Sequence, residues 1–292
     1  MGSAKVPPGE RLQKVLARLG LGSRRQIEGW IEEGRIMVDG RPAQLGERVM
    51  PEARIALDGR VVPTERVATK PRTLIYHKPE GEVCTPSDAQ GRPSVFVNLP
   101  KLRHARWIVI APLDFGTSGI LLLTTDGELA HRLTHPSREV EREYAVRILG
   151  EASDEMLARL KEGVMLEDGP ARFDTIVDAG GTGANRWYHV TFKEARNRDV
   201  RRLWEAVRAA VSRVIRVRYG NVQLPRHVRP KRSEDLAQDQ AAELYRSVGL
   251  EPPSSLEMSA APQIRGRGPA RSRAPARGRG GRNPRKKIRQ RT

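Results

Sequence analysis

A single carboxylate, Asp114, stands between two apolar runs in the middle of the chain. Residues 107–113 precede it, and residues 120–123 follow after the polar residues 116–119. This alternation predicts a strand, a tight reversal and a second strand, which places Asp114 at the edge of a core. A carboxylate that leaves water must be paired or functional, whereas an aspartate in a turn often bonds its own backbone. The pattern alone leaves both interpretations of Asp114 open.

A helix is predicted directly after the second apolar run. Thr125 and Glu128 have the spacing of a capping box in front of Leu129, so the helix should begin with Thr125 as its cap. Two histidines, His131 and His135, then lie four residues apart, a spacing that metal ligands can use on one helix face. No glutamate lies between them as in a metalloprotease motif, and a proline follows directly. We therefore predict no metal site.

Further residues that could take part in chemistry follow on a strand and on a helix. Tyr144 alternates with Val146 and Ile148 in a strand pattern, where a tyrosine either packs into the sheet or offers a flat ring to a base. Residues 196–202 contain four arginines. Such a run is either a solvated helix start or a surface that binds an anion. An arginine could also hold a poorly hydrated carboxylate in its ionised form, because the guanidinium keeps its proton.

Three blocks of the chain resemble the motifs of one enzyme family. They are residues 113–127 (LDFGTSGILLLTTDG), residues 143–146 (EYAV) and residues 194–204 (EARNRDVRRLW). These blocks are similar to motifs of the pseudouridine synthases of the small- and large-subunit ribosomal type. The resemblance implies that Asp114 is the catalytic residue, that Tyr144 lies against the target base, and that Arg201 pairs with the aspartate. It also implies RNA contacts from Arg196, Arg198 and Arg202.

The chain departs from this family pattern at two places. Ala111-Pro112 stands where the family usually has Gly-Arg, and Ala195 stands where it usually has glycine. Proline carries no charge and has no N–H to donate, so position 112 cannot hold an RNA phosphate. Either another arginine takes over this contact, or the activity is lower or directed to another target.

The reaction that the resemblance implies is the isomerisation of a uridine to pseudouridine. Residues 166–170 and 196–198 are most similar to the B-type branch of the large-subunit enzymes, which implies 23S rRNA as the partner. The carboxylate of Asp114 would attack the sugar or remove a proton from it, and the sequence leaves both routes open. The base is detached, turned and rejoined with no net redox change, so we expect no cofactor.

The first fifty residues show a separate pattern of two helices and a small hairpin. Apolar residues recur with helical spacing in residues 12–19, and Ser23 can cap a second helix. Asp-Gly pairs at 39–40 and 58–59 mark turns. Residues 10–40 resemble the S4 RNA-binding domain, so basic side chains between the apolar ones either follow RNA phosphates or form an ordinary solvated surface. We expect RNA contacts from Lys14, Arg18, Arg24, Arg25 and Arg35.

The charge of the chain points to a polyanionic partner. The 292 residues contain 53 Lys and Arg against 35 Asp and Glu, for a net charge of +18. Residues 265–292 hold twelve of the basic residues and no acid, so the preceding part carries only +6. Such an Arg/Gly-rich tail cannot bury a core, and we expect it to be disordered and to raise the affinity for RNA through charge. A purely solvating role of the tail is the alternative.

Other features of the composition indicate in which compartment the protein is expected. Cys84 is the only cysteine, so no internal disulfide can form, which fits a reducing compartment. The N-terminus has no apolar core of a signal peptide, and no apolar run approaches the ~20 residues of a membrane span. We expect a cytoplasmic monomer without membrane contact.

Together these patterns predict an α+β protein. We expect residues 63–73 to form a linker and residues 264–292 to form a disordered basic tail. The resemblances imply that residues 10–62 form an S4 (α-L) RNA-binding domain and that residues 74–235 form the pseudouridine synthase catalytic domain. The resemblance implies that this domain is built on a mixed, mainly antiparallel β-sheet with flanking helices.

Two non-catalytic functions compete with the enzyme. The chain could be an rRNA-binding ribosome-assembly factor that retains the synthase fold, or a general RNA chaperone that relies on its basic tail. Ala111-Pro112 and Ala195 favour the first of these. The joint presence of Asp114, Tyr144 and Arg201 favours the enzyme.

Overall fold

The computed structural model describes residues 9–63, 70–103, 105–193 and 199–253, of which residue 199 is described in its backbone only. Its N-terminal part contains two helices and six short strands. They are β1 (Glu10–Arg11), α1 (Leu12–Arg18), α2 (Arg24–Glu32), β2 (Ile36–Val38), β3 (Arg41–Pro42), β4 (Arg48–Val49), β5 (Ile55–Leu57) and β6 (Arg60–Val61). β1 pairs with β4, and a small antiparallel sheet has the order β3-β2-β5-β6.

One apolar core joins these helices to the strands. Its buried members from α1, α2 and β2 include Leu12, Leu16, Ile27, Ile31 and Ile36. Ser23 caps α2, because its Oγ accepts a hydrogen bond from the backbone N–H of Gln26 at 3.1 Å. The two helices, the cap of α2 and the short strands that the sequence predicts are confirmed in this part of the chain.

The larger part of the described chain is built on one sheet with four helices. Its elements are β7 (Thr73–Lys78), β8 (Ile108–Ile110), β9 (Ser118–Thr124), α3 (Gly127–Thr134), β10 (Arg142–Leu149), α4 (Asp154–Glu162), β11 (Val164–Leu166), β12 (Gly169–Ala171), β13 (Thr175–Thr182), β14 (Asn185–Phe192), α5 (Asp199–Ala206), β15 (Val211–Tyr219), β16 (Val222–Gln223), β17 (Ser233–Asp235) and α6 (Gln238–Ser247). Short 3-10 turns lie at Val95–Asn98 and Pro136–Arg138.

The main sheet has the strand order β13-β14-β10-β15-β9-β7-β17, with β16 beside β15 and β8 beside β9. β9 and β15 run parallel, and the other described pairs run antiparallel. The mixed, mainly antiparallel sheet is therefore confirmed.

Each face of this sheet carries its own apolar core. Along β9, Leu121 and Leu123 join one core, while Ile120 and Leu122 join the other, as the two-residue period of a strand requires. α4 and α5 pack in the first core, and α3 and α6 pack in the second. The central strand β9 is thus buried on both sides, which gives the residues that precede it a rigid support.

The start of α3 differs from the prediction by one residue. The N-cap is Asp126, whose Oδ1 accepts from the backbone N–H of Glu128 at 2.8 Å and of Leu129 at 3.2 Å. Thr125 is not the cap, because its Oγ1 accepts from the backbone N–H of Arg72 at 2.9 Å instead. A carboxylate can serve two orphan donors at once and also suits the positive end of the helix dipole, so the aspartate takes this place.

Several predictions concern residues outside the described part of the chain. They are the disordered tail at 264–292, most of the linker at 63–73, and the RNA contacts of Arg196 and Arg198. Within the described ranges, no helix combines the length and the apolar character that crossing a membrane requires.

Gly119 permits the close parallel contact between β9 and β15. It lies opposite Arg216 in the strand register, and its φ of +113° falls in a region that residues with a Cβ rarely adopt. A Cβ at this position would overlap the backbone nitrogen and oxygen of Arg216. Glycine is therefore required where the chain enters β9, five residues after Asp114.

Gly119→Ala should lower the free energy of unfolding by about 3 kcal/mol, because alanine adds backbone strain and an overlap with a neighbouring strand. Urea unfolding of wild type and variant measures the difference. Gly29→Ala is the matched control: Gly29 lies within α2 with no atom near its absent Cβ, so alanine there should stabilise by up to ~1 kcal/mol. Equal stability of Gly119→Ala and wild type would contradict this account of the strand contact.

Candidate active site

Asp114 lies on the connection between β8 and β9, as the sequence predicts. These strands pair antiparallel, with Ile110 opposite Leu122, so the connection reverses the chain. At its centre the backbone N–H of Thr117 donates to the carbonyl oxygen of Asp114 at 3.2 Å, which closes a turn. Asp114 is half-buried and thus lies at the boundary between core and solvent. We call residues 111–119 the Asp114 loop.

A buried ammonium group holds the backbone of the Asp114 loop. Lys78, at the end of β7, donates from Nζ to the carbonyl oxygens of Asp114 and Thr117, both at 2.8 Å, and to that of Pro79 at 3.1 Å. The side chain is fully buried, and this burial lowers the pKa of Lys78 because desolvation disfavours the charged form. Three carbonyl oxygens match the three donors of an ammonium group, so the cation and the loop position each other.

A second buried cation, Arg216 on β15, holds both ends of the loop. Its Nη1 donates to the carbonyl oxygen of Ala111 at 2.8 Å, and its Nε donates to that of Ile120 at 2.9 Å. The guanidinium carbon also lies 5.2 Å from the centre of the Tyr219 ring. Only 1% of Arg216 is exposed. Because one rigid planar group binds the carbonyls on either side of the reversal, the loop keeps its shape without help from a substrate.

Neither of these two cations is among the site residues that the sequence motifs predict. The sequence does contain a signal for their burial. In the two-residue alternation of a strand, Lys78 falls on the same face as the apolar residues Leu74 and Tyr76, and Arg216 falls on the same face as Val214. A basic residue on the inward phase of a buried strand is expected to meet backbone oxygens.

Ala111 adopts a strained backbone conformation at the start of the loop. Its φ of 45° is left-handed, a conformation that glycine adopts freely and that costs other residues about 1 kcal/mol or more. The residue is buried, and its carbonyl oxygen is the one held by Arg216. The glycine that the family usually has here would carry no such strain, so the alanine is accommodated at a cost. Pro112, beside it, is exposed.

Arg201 reaches the Asp114 loop from α5. Its Nη1 donates to the carbonyl oxygen of Val211 at 2.8 Å, and its Nη2 lies 3.5 Å from the carbonyl oxygen of Gly116. Gly116 is two residues from Asp114, so the guanidinium is placed beside the predicted catalytic residue. The predicted pairing of the Arg201 guanidinium with the Asp114 carboxylate stays a prediction.

Tyr144 lies at the same end of the sheet as the loop. Gly119, Arg216 and Tyr144 are neighbours across β9, β15 and β10, which puts Tyr144 about 10 Å from Gly119 at the usual strand spacing. One face of its ring stacks on Phe192, with centroids 5.5 Å apart and planes 17° apart. Only 7% of Tyr144 is exposed. A base would therefore meet a small part of this ring, and its role against the base stays a prediction.

The predicted RNA-binding residues of the N-terminal part fall into two groups. Lys14 and Arg18 both form ion pairs with Glu10, at 3.3 and 2.7 Å. Arg35 binds Asp58 with two hydrogen bonds of 2.8 Å and lies over the ring of Trp30. In contrast, Arg24 and Arg25 are exposed and form no ion pair with a described acid. In the catalytic part, Arg202 pairs with Asp168.

A cavity of about 1070 Å³ lies between the N-terminal part and the main sheet. Its lining contains five basic and three acidic residues, which are Lys14, Arg18, Arg24, Arg106 and Arg132, and Glu10, Asp126 and Glu128. Burial lowers the pKa of Arg106, and the nearby charge of Arg24 adds to this effect. Asp114, Tyr144 and Arg201 do not line the cavity, so it is separate from the Asp114 loop.

Comparison with known proteins identifies the family. A model described as RNA pseudouridylate synthase matches residues 72–206, and a model described as S4 domain matches residues 10–55. The ribosomal large subunit pseudouridine synthase B of Escherichia coli (strain K12) is 60% identical over 220 residues, which cover 74% of this chain and 76% of that protein. The chain belongs to the RNA pseudouridylate synthase family. The family that the sequence motifs suggest is thereby confirmed.

Two further relatives agree with this assignment. The ribosomal large subunit pseudouridine synthase B of Pseudomonas aeruginosa is 54% identical over 249 residues, which cover 85% of this chain. The match spans 64% of that relative, which is less than two thirds of its length. A crystal structure of a pseudouridylate synthase, 23% identical, superimposes with a TM-score of 0.57 over 81% of this chain and 100% of that one. This likeness shows a shared fold, and the predicted synthase fold is confirmed.

Lys78→Met should lower the free energy of unfolding by roughly 2–4 kcal/mol, because three buried carbonyl oxygens lose their donor. It should also speed hydrogen exchange in the Asp114 loop, since the carbonyls of Asp114 and Thr117 are no longer held. Urea unfolding and exchange mass spectrometry measure the two effects. Lys101→Met, at an exposed position, is the control and should change neither. Unchanged exchange in the loop of Lys78→Met would refute the role given to this ammonium group.

Proposed function

We propose that this chain is an rRNA pseudouridine synthase that isomerises a specific uridine of 23S rRNA. Its membership of the family and the names of its relatives, which refer to the large ribosomal subunit, support this substrate. The observation that carries the proposal is the Asp114 loop, where two buried cations fix the backbone of an aspartate at the edge of the core. We further propose that the protein acts in the cytoplasm, as a monomer and without a cofactor.

The proposed reaction rearranges the uridine without adding or removing atoms. The N-glycosidic bond between N1 of the uracil and C1′ of the ribose breaks, and the base turns. A bond then forms between C5 and C1′, and the proton that C5 loses balances the one that N1 gains. Asp114 either attacks C1′ or removes a proton from the sugar. In both routes a carboxylate beneath the ribose also stabilises the positive charge that develops on the sugar.

Arg201 and Tyr144 complete the proposed site. Arg201 lies 3.5 Å from the carbonyl oxygen of Gly116, so its permanent charge is available to keep the carboxylate of Asp114 ionised as the site loses water. Tyr144 is proposed to limit the space beside the base, since its ring is fixed by stacking on Phe192. The target uridine has to leave its stack in the RNA to reach these groups.

The RNA is proposed to run over basic side chains of both parts of the chain. Arg24 and Arg25 are exposed and suited to phosphate contact. Four further basic residues would either release their acidic partner and bind a phosphate, or contact the RNA while still paired. These residues are Lys14, Arg18, Arg35 and Arg202. Arg196 and Arg198 keep their proposed role from the family motif.

A non-catalytic assembly factor remains the second candidate, because Ala111 is strained and Pro112 removes a charge next to the site. The two functions differ in one property. The assembly factor would bind rRNA with any residue at position 114, whereas the enzyme needs the carboxylate.

Asp114→Asn should lower the rate of pseudouridine formation by at least about a thousandfold, because the amide has the same shape but cannot act as nucleophile or base. Purified wild type and variant are incubated with unmodified 23S rRNA, and pseudouridine is mapped along the RNA. Affinity for the rRNA should stay the same. If the wild type binds rRNA and forms no pseudouridine, the enzyme is excluded and the assembly factor is favoured. Full activity of Asp114→Asn would show that another group performs the reaction.

Arg201→Lys should lower kcat by about tenfold or more, because lysine keeps the charge but loses the planar fork that reaches Val211 and Gly116. The RNA concentration at half-saturation should change less than twofold. Arg159→Lys, at an exposed position on α4, is the control for the same chemical change. A loss of RNA affinity with unchanged kcat would mean that Arg201 binds RNA and does not support Asp114.

A further inference from the structure

Phe115, the residue next to Asp114, carries an exposed aromatic ring. Its exposed fraction is 43%, although β9, which begins a few residues later, buries its apolar side chains. Its backbone is fixed, because the N–H of Gly81 donates to the carbonyl oxygen of Phe115 at 2.9 Å. The exposed part of this ring is therefore apolar surface directly beside the predicted catalytic residue.

A guanidinium covers one side of this ring. The Cζ of Arg92 lies 5.6 Å from the centre of the Phe115 ring, which is within the range of a cation–π contact. The Asp114 loop itself has no basic residue from 111 to 119. Arg92 therefore brings a positive charge to a loop that has none of its own.

The position of Arg92 is set by Asp88, four residues earlier. Its Nε and Nη2 donate to the two carboxylate oxygens of Asp88, at 2.9 and 2.6 Å. The same carboxylate accepts from the backbone N–H groups of Gln90 and Arg92, both at 3.1 Å. These donors hold the pKa of Asp88 down at about 2, chiefly through the side chain of Arg92. The pair therefore stays ionised near neutral pH.

The pair presents its positive side to solvent. The side chain of Asp88 is 10% exposed and that of Arg92 is 39% exposed, so the carboxylate is enclosed by its donors while the guanidinium is accessible. One edge of the guanidinium is occupied by Asp88, and its Nη1 forms no hydrogen bond with a described residue. This nitrogen can donate to an oxygen that arrives from outside.

A flat ring and a guanidinium next to each other match the chemistry of a nucleotide. Bases stack on exposed aromatic rings in proteins that bind unpaired RNA, and arginine binds the phosphate oxygens. We propose that Phe115 and Arg92 form a subsite for the nucleotide that flanks the target uridine, with the base on Phe115 and its phosphate on Arg92. This subsite rests on the proposed function, since it needs an RNA whose target uridine lies at Asp114.

The simpler alternative gives both residues a structural role only. In that case Arg92 covers an exposed ring, and the Asp88–Arg92 pair closes a surface turn. The two accounts differ in what they predict for RNA binding, because a structural pair affects the stability of the protein and leaves its affinity for RNA unchanged.

Three variants separate the components of the subsite. Phe115→Leu keeps an apolar side chain and removes the stacking surface, so it should weaken binding about five- to a hundredfold. Phe115→Trp keeps a flat ring and should restore binding to within about threefold of wild type. Arg92→Gln should weaken binding and reduce the slope of log affinity against log salt by about 0.7 to 1, the effect of one lost phosphate contact.

The probe is an unmodified 23S rRNA transcript, bound to the full chain at several salt concentrations. Single-turnover formation of pseudouridine is measured on the same samples. In Phe115→Leu and Arg92→Gln, the factor by which the RNA concentration at half-saturation rises should exceed the factor by which the rate at saturation falls. Thermal unfolding of each variant reports any structural effect. Leu149→Ala, an exposed apolar residue at the far end of β10, and Arg159→Gln are the controls and should leave binding unchanged.

The results distinguish failure of the subsite from failure of the proposed function. Absence of pseudouridine with wild type would reject the function, while the binding data would still test the subsite. An active wild type whose affinity and salt slope are the same in Phe115→Leu and Arg92→Gln would overturn the subsite. Equal loss of affinity in Phe115→Leu and Phe115→Trp would also overturn it, because stacking would then not be the cause.

Discussion

The position of Asp114 depends on two positive charges that are buried against peptide carbonyls. Removing a cation from water costs several kcal/mol, and the cost is recovered only when its donors find acceptors of good geometry. Lys78 finds three carbonyl oxygens in and next to the Asp114 loop, and Arg216 finds one at each end of it. A chain reversal turns several carbonyls inward, where they need donors. The cations and the reversal therefore stabilise each other.

The order of the strands explains how both cations reach one loop. β9, which follows Asp114, lies between β15 and β7 in the sheet. Arg216 comes from β15 and Lys78 from β7, so two neighbours of β9 supply one charge each. The parallel pairing of β9 with β15 brings Arg216 opposite Gly119, and the absence of a side chain at Gly119 leaves room for that backbone. The loop is thus supported from both sides before any RNA arrives.

Much of this arrangement could be predicted from the sequence, because it follows local rules. The apolar runs around Asp114 predicted the two strands and the reversal, and Ser23 predicted the start of α2 through ordinary capping chemistry. The cap of α3 was misplaced by one residue. The carboxylate of Asp126 serves two backbone donors and also accepts from the hydroxyl of Tyr245 on α6 at 2.8 Å. That tyrosine is 119 positions away, and no local pattern contains it.

The contacts of the charged residues could not be predicted, because they depend on partners distant in the chain. Lys78 reaches the carbonyl of Asp114, and Arg216 reaches that of Ala111, which is 105 positions away. The same holds in the N-terminal part. There the RNA contact of Arg35 stays a prediction, and its two hydrogen bonds to Asp58 are a contact that the sequence did not indicate. The sequence alone does not show whether the acceptor of a basic residue is water, a carbonyl, a carboxylate or a phosphate.

The length of β9 has a consequence for the size of the molecule that this protein can recognise. The strand spans seven residues, or about 23 Å at the usual rise. Asp114 lies before its first residue, and Thr125, directly after its last, lines the cavity between the two parts of the chain. A ligand that touches both places must bridge that span, which a mononucleotide cannot do. A ligand that contacts both places therefore has to be as large as an oligonucleotide.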